Sequence, residues 1–227
     1  MYYFRILLFL WLFVSGAKAH SLYNEPFYIT KPLRSWIELR DENLTRQKYD
    51  YSCGAASLSS VMSYFYDVKV SEREILDFLL SHKGISTDKK REIEVDNELR
   101  EKAHLSFSDL ALFAQSKGFR TQGLALDFET LTKLQIPVII YVNVRDMEHF
   151  SVYKGADSHY VYLADPSLGN IKVSKGKFLE MFYQRDDLTY PGKILAILSD
   201  THKGNDTFFT HKTNTMIYKA IQDKALD

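Results

Sequence analysis

The sequence predicts an α+β fold in which an N-terminal helical half packs on a C-terminal antiparallel sheet, and three observations predict it. Helical spacing of apolar residues dominates from Cys53 to Gly118. Beyond Gly118 the spacing shortens to two, and turn residues divide that second half into short segments rich in β-branched and aromatic side chains. Helices first and strands afterwards give two layers around one core rather than alternating βαβ units.

Taken in order, the first residues read as an address. Arg5 precedes the unbroken apolar run Ile6 to Val14, and Ala17-Lys18-Ala19 fits a small-x-small cleavage site, so residues 1–19 are expected to be a signal peptide. The run is well below the roughly 20 apolar residues that span a bilayer. No later segment is apolar enough to cross a membrane, and no cysteine follows the run closely enough to take a lipid, so no stable membrane span is expected after cleavage. Residues 20–46 contain Pro26 and Pro32 and read as an arm, with a strand-like stretch at Trp36 to Leu39.

After Cys53, Leu58, Val61, Met62 and Phe65 recur on one helix face, which predicts a helix to Tyr66. Ser71-Glu72-Arg73-Glu74 has the form of a capping box, and Ile75, Phe78 and Leu79 continue it as an amphipathic helix. Residues 81–104 are strongly charged and read as a solvated linker or exposed helix. Ser106 to Asp109 opens a further helix that Gly118 ends. The segments "FRTQGLAL", "IPVIIYVNV", "HFSVYKG", "HYVYLAD" and "KILAILS" read as strands, with short helices at Asp127 to Leu134 and Ser174 to Gln184. The domain is expected to cover 47–199, and residues 200–227 to form a polar, loosely ordered tail.

Composition excludes some functions. The chain is 45% hydrophobic and 26% charged, with 29 Lys+Arg against 29 Asp+Glu, which leaves no electrostatic case for nucleic acid or an anionic membrane. A single cysteine can make no internal disulfide, so its thiol is either buried and inert or kept for chemistry.

Four residues supply what a thiol nucleophile needs. Cys53 opens a helix, where unpaired N–H groups and the positive end of the macrodipole favour thiolate, and Gly54, Ala55 and Ala56 keep the first turn open to a substrate backbone. The plain alternative is helix packing, since free cysteines are among the most buried residues. Gln47, six residues upstream, is placed to point its amide at an oxyanion beside the Cys53 N–H. Of seven histidines, His20, His82, His104, His202 and His211 lie in polar or poorly patterned sequence, whereas His149 opens the strand-like "HFSVY" and Asp165 ends the next strand-like segment. If Gly155 pairs with His159 around Ala156-Asp157-Ser158, His149 stands directly opposite Asp165, close enough for the carboxylate to accept from the imidazole. His159 reads as an exposed turn residue.

These motifs resemble cysteine peptidase family 39, the papain-like double-glycine leader peptidases that process bacteriocin precursors. The resemblance rests on "QKYDYSCGAASL", "HFSVY" and "LADPSLG", which follow the family order of Gln, Cys-Gly-x-Ala, His-Phe and Asp-Pro from about Gln47 to Leu198. It implies a papain-like α+β fold, with Cys53 as nucleophile, His149 as base and acid, Asp165 as its orienter and Gln47 as oxyanion donor. It implies no metal or other cofactor, and a peptide substrate cut after Gly-Gly in a cleft too narrow for side chains. The best-known members are domains of exporters, whereas the export signal here implies a periplasmic or secreted bacterial enzyme that meets its substrate outside the inner membrane. Analogy with exported relatives points to a secretion system, including one for functional amyloid, as a source of partners. Two alternatives stay open: a non-cleaving peptide-binding or secretion-chaperone module, and a cell-wall peptide amidase or transferase.

Overall fold

The computed structural model describes residues 34–86, 88, 96–144 and 147–209. The expected signal peptide, the arm as far as residue 33, part of the charged segment and the tail beyond 209 lie outside the described residues.

The first element corrects the reading of Trp36 to Leu39 as strand-like. It is the helix α1, Trp36–Arg40, closed by a reciprocal box in which Ser35 Oγ accepts from Glu38 N (3.1 Å) and Glu38 Oε2 accepts from Ser35 N (2.6 Å). Then comes α2, Cys53–Ser60, with all eight residues buried; its small side chains allow it into the middle of the domain. It runs into one π-helical stretch, Val61–Phe65, so the predicted continuous helix changes its hydrogen bonding near its end. Ser71 caps α3 (Glu72–His82) by accepting from Glu74 N, and Asp96 caps α4 (Asn97–Ala103), which makes part of the charged segment an exposed helix. Ser106 and Asp109 form the expected box at the start of α5, Phe107–Ser116, and Gly118 follows it at φ +83°.

The second half is β1 (Arg120–Leu126), α6 (Phe128–Thr132), β2 (Val138–Val144), β3 (Met147–Ala156), β4 (Tyr160–Asp165), β5 (Gly169–Ser174), α7 (Lys175–Phe182) and β6 (Gly192–Leu198). The six strands form one antiparallel sheet in the order β1-β6-β2-β3-β4-β5. The strand β5, "GNIKVS", was not read from the sequence.

Side chains along the strands divide between two cores. Ile139, Phe150, Val152, Ala164, Leu195 and Ile197 pack with the buried faces of α2, α3 and α5. Val138, Ile140, Val142, Tyr153, Val161, Leu163 and Ile194 pack with Phe128, Leu131, Phe178 and Phe182 of α6 and α7. Helices on both faces explain why "VIIYV" is apolar throughout rather than alternating.

The core also extends past both expected limits of the domain. Leu44 is buried and Thr45 N donates to Ser60 Oγ (2.9 Å), so the stretch before Gln47 belongs to the packed unit. After 199, Asn205 N donates to Phe65 O (2.8 Å) and the fully buried Phe208, in the 3₁₀ turn Asp206–Phe209, meets the Phe65 ring edge-on. Residues 200–209 are therefore tied to the core through Phe208, with Phe209 packed partly against it, while the polar residues around them stay at the surface.

Candidate active site

Cys53 is the first residue of α2, and the helix start around it is held by an unusual cap. Ser52 occupies the N-cap position, yet its side chain makes no capping bond. Its hydroxyl lies 2.5 Å from Glu72 Oε1 and 2.7 Å from Tyr49 O, and the same Glu72 oxygen accepts from Lys48 N (2.8 Å). Glu72 is buried at the start of α3, so one carboxylate fixes the Lys48–Ser52 loop from behind. The first-turn N–H groups of α2 then keep no side-chain acceptor of their own, and they stand beside the thiol.

His149 is the third residue of β3, and Asp165 is the last of β4. His149 Nε2 donates to Asp165 Oδ2 at 2.9 Å, with side chains only 16% and 6% exposed. The register behind this contact differs from the expected one. Val152 pairs with Ala164 and Tyr153 with Leu163, two residues away from the predicted alignment. Asp157 explains part of the slip: its Oδ1 accepts from His159 N and Tyr160 N and tightens the turn, while a bulge between Tyr153 and Gly155 takes up a residue. A shift of two keeps each side chain on its own face, so the imidazole and carboxylate meet diagonally instead of directly.

Asp165 is held on both oxygens. Oδ1 accepts from Ser167 N and Leu168 N, each at 2.9 Å, which leaves Oδ2 for the imidazole. Burial pushes this carboxyl up, but the His149 bond and charge and the two backbone donors outweigh it and hold it below its usual range. Burial works against the His149 cation too, yet the Asp165 bond and a bond to Cys53 raise it to about 10. With Nε2 committed to Asp165, Nδ1 is the ring nitrogen left for the Cys53 sulfur.

Gln47 joins the same network from another side. Its backbone N donates to Pro166 O (3.0 Å), its Oε1 accepts from Ser167 Oγ (2.7 Å) and its Nε2 donates to Tyr49 O (3.1 Å). One Nε2 hydrogen is thereby used and the other remains. The structure thus links His149 to Asp165, and Asp165 through Ser167 to Gln47, with Cys53 near enough to the imidazole to favour its charged form.

Three residues of this site escaped the sequence reading. Ser167 had a local signal, since Asp-Pro-Ser is a turn in which the aspartate accepts from backbone two residues on. Glu72 had none, because its role depends on a loop 24 residues away. Tyr141 on β2 is the third: burial and then a bond to Glu148 push its phenol above the ordinary range, and Cys53 is near enough to add to the effect.

Of the four other described histidines, His82 bonds Phe78 O, His202 stacks on Phe119, His159 is exposed in its turn beside Ser158, and His104 lies 4.0 Å from Glu148. Among the described residues no group of three His, Cys, Asp or Glu side chains is placed to hold a metal ion, and no helix is long and apolar enough to cross a membrane.

Comparison with known proteins converges on one family. A sequence model of the peptidase C39 family matches residues 88–185. The chain is 32% identical over 218 residues to the probable functional amyloid protease FapD of Pseudomonas fluorescens, covering 93% of this chain and 88% of that one. It is 29% identical over 150 residues to the protein of the same name from Pseudomonas aeruginosa, covering 66% and 61%. Among solved structures, the peptidase domain of Streptococcus ComA, a bi-functional ABC transporter of a quorum-sensing pathway, superposes with a TM-score of 0.50. That match has 19% identity and covers 69% of this chain and 98% of the domain, which is a likeness of fold.

Proposed function

The chain belongs to the peptidase C39 family of cysteine peptidases, and from that premise we propose that it cuts an exported protein or leader peptide with Cys53 as nucleophile and His149, Asp165 and Gln47 as its supporting residues. The observation that carries this reading is the 2.9 Å bond between His149 and Asp165, made where Cys53, at the start of a buried helix, is near enough to favour the charged imidazole.

The chemistry follows from those contacts. The Cys53 sulfur, as thiolate paired with the His149 imidazolium, attacks the carbonyl carbon of the scissile peptide, and the carbonyl π electrons move to oxygen. The Cys53 backbone N–H and the free Nε2 hydrogen of Gln47 receive that oxyanion. When the carbon–nitrogen bond breaks, His149 gives its proton to the leaving amine, leaving a thioester on Cys53. Neutral His149 then takes a proton from water, whose oxygen attacks the thioester, and the acid leaves as the thiolate–imidazolium pair is restored. Asp165 keeps the ring in one tautomer and stabilises its charged form throughout.

The substrate class rests on the relatives and the N-terminus. Relatives named as probable functional amyloid proteases favour an exported protein of such a system, and the signal-like residues 1–19 favour encounter in the periplasm or beyond. Cleavage after Gly-Gly is the specificity implied by the resemblance of "CGAA", "HF" and "ADP" to double-glycine peptidases.

The test is to map new N-termini among exported proteins in cells carrying the wild-type chain or Cys53→Ala. Termini that follow Gly-Gly and vanish in the variant are expected. Identical termini in both strains, with the variant still binding exported protein, would replace the peptidase with a binding module.

A further inference from the structure

The turn after Asp165 is gripped by two consecutive residues of the stretch that leads into α2. Gln47 N donates to Pro166 O (3.0 Å), and the Arg46 guanidinium donates through Nη2 to Ser167 O. The second contact bears on the site. Ser167 O and Leu168 N–H belong to one planar peptide unit, and the N–H end of that unit donates to Asp165 Oδ1 (2.9 Å). Arg46 therefore holds the oxygen end of the peptide whose hydrogen end holds the carboxylate, and a cation on the carbonyl polarises the N–H toward Asp165.

Arg46 is itself fixed. Its Nη1 donates to Asp41 Oδ1 (3.2 Å), and the two Asp41 oxygens also accept from Arg40 Nε and Nη2, each at 2.7 Å. Arg40 ends α1, and it lies so close to the turn that a Cβ on Gly169 would collide with Arg40 Cγ and stand 2.9 Å from Arg40 O. On the other side, Thr45 N donates to Ser60 Oγ (2.9 Å) and Thr45 Oγ1 lies 2.8 Å from Ser59 Oγ, which ties the stretch to the helix that Cys53 opens. The guanidinium thus reaches from an anchored carboxylate to the turn, using two arms of its fork at once.

We propose that Arg46 is a positioning residue: by fixing the Ser167–Leu168 peptide it aims Asp165 at His149, and it keeps the Ser167 hydroxyl on the amide of Gln47. This rests on the peptidase reading of Cys53 and His149. Arg46 acts through Asp165 and Gln47 and takes no part in the bond changes.

The experiment needs no substrate. The full chain is labelled with nitrogen-15 histidine, and the proton on His149 Nε2 is identified by NMR as the imidazole resonance lost in His149→Gln. Bonded to a carboxylate, it should lie downfield and exchange slowly with water in the wild type. Arg46→Met keeps most of the stem and removes the guanidinium. It should move that resonance upfield and speed its exchange about tenfold, the scale of one hydrogen bond to a charged group. Amide resonances of β1 and β6, at the far side of the sheet, should stay in place. Arg46→Lys returns the charge and one donor and should recover part of both changes. Asp41→Asn leaves the guanidinium but removes the charge that anchors it, and should show the same changes at smaller size. An Nε2 proton with unaltered shift and exchange in Arg46→Met, or in Asp41→Asn where Arg46→Met does not fold, overturns the proposal. So does equal damage in Arg46→Met and Arg46→Lys, which marks a packing role. The peptidase reading fails separately. Cys53, the single thiol, should react with iodoacetamide faster in the wild type than in His149→Ala. Equal rates remove the nucleophile, and with it the reason for positioning, whatever the imidazole proton shows.

Discussion

Gln47 and Ser167 lie 120 residues apart in the chain and are joined by a 2.7 Å hydrogen bond from the serine hydroxyl to the amide oxygen. The same serine gives its backbone N–H to Asp165. One turn residue therefore orients the amide expected to receive the oxyanion and steadies the carboxylate that holds the imidazole. Ser167→Ala removes only the first of these. It should lower kcat about tenfold with KM nearly unchanged, and Ser167→Thr should restore it; Gln47→Ala should cost about 10²- to 10³-fold, the usual loss for an oxyanion donor. Steady-state kinetics of the three variants check this.

The pH profile tests the His149–Asp165 bond. With His149 raised to about 10, the thiolate–imidazolium pair persists until the pH approaches that value, and kcat/KM should fall on its alkaline side there. Asp165→Asn removes the bond and the charge that raise the imidazole, so the alkaline limb should move to lower pH while the Cys53 contribution keeps it above that of a free histidine. A limb that stays in place in Asp165→Asn would show that the carboxylate does not set the charge of the ring.

Stability should carry the same signature. His149 has a folded pKa above its unfolded value of about 6.5, so its contribution is complete below that pH and is lost as pH rises through about 10. Lys154 opposes it over part of that window. Burial lowers this lysine to about 8, so its penalty is complete below about 8 and is relieved as pH rises toward the unfolded value of about 10.4. Denaturant midpoints between pH 7 and 10 should fall by less than one proton's worth, about 1.4 kcal/mol per pH unit. In His149→Gln the fall should disappear and the Lys154 rise emerge above pH 8.

Glu72 can be tested apart from the chemistry. Glu72→Ala takes the carboxylate away from the Lys48 N–H and from the Ser52 hydroxyl, which keeps its bond to Tyr49 O, and a hydrogen bond to a charged group contributes about 1.5–3 kcal/mol. Urea unfolding should show a loss in that range, and the rate of Cys53 alkylation should change because the loop that starts α2 has lost its support.

Phe208 carries the core past residue 199. Phe208→Ala should destabilise the domain by about 3–5 kcal/mol, the range for a fully buried phenylalanine. A chain ended at residue 199 should unfold at a lower temperature than one ended at 209, as measured by circular dichroism.

Much of this was legible in local patterns. Capping boxes at Ser106 and Ser71, the small residues after Cys53 and the change of period at Gly118 are short-range signals, and the corresponding elements stand where they predict. The His149–Asp165 meeting was reached through a register that is two residues out; the parity of a strand forgave the error, and an odd slip would not have. Trp36 to Leu39 was misread because its aromatic and β-branched residues outweighed a box that Ser35 and Glu38 also spell out. The strand β5 begins with Gly169 and Asn170, which look like loop, and is stabilised by pairing with β4 rather than by its own composition. Glu72 and Phe208 are set by partners far away in the chain, and no window of neighbouring residues contains that information.

Lys154 has one more consequence. Its ammonium bonds Asn170 Oδ1 (3.2 Å) and lies 4.8 Å from the Phe208 ring centroid, while Asn170 in turn donates to the carbonyls of Arg40 and Glu42. The beginning and the end of the described chain thus converge on a single side chain of the central strand β3. One side chain of the core therefore fastens two flanking segments that are far apart in sequence, and a change at Lys154 would loosen both together.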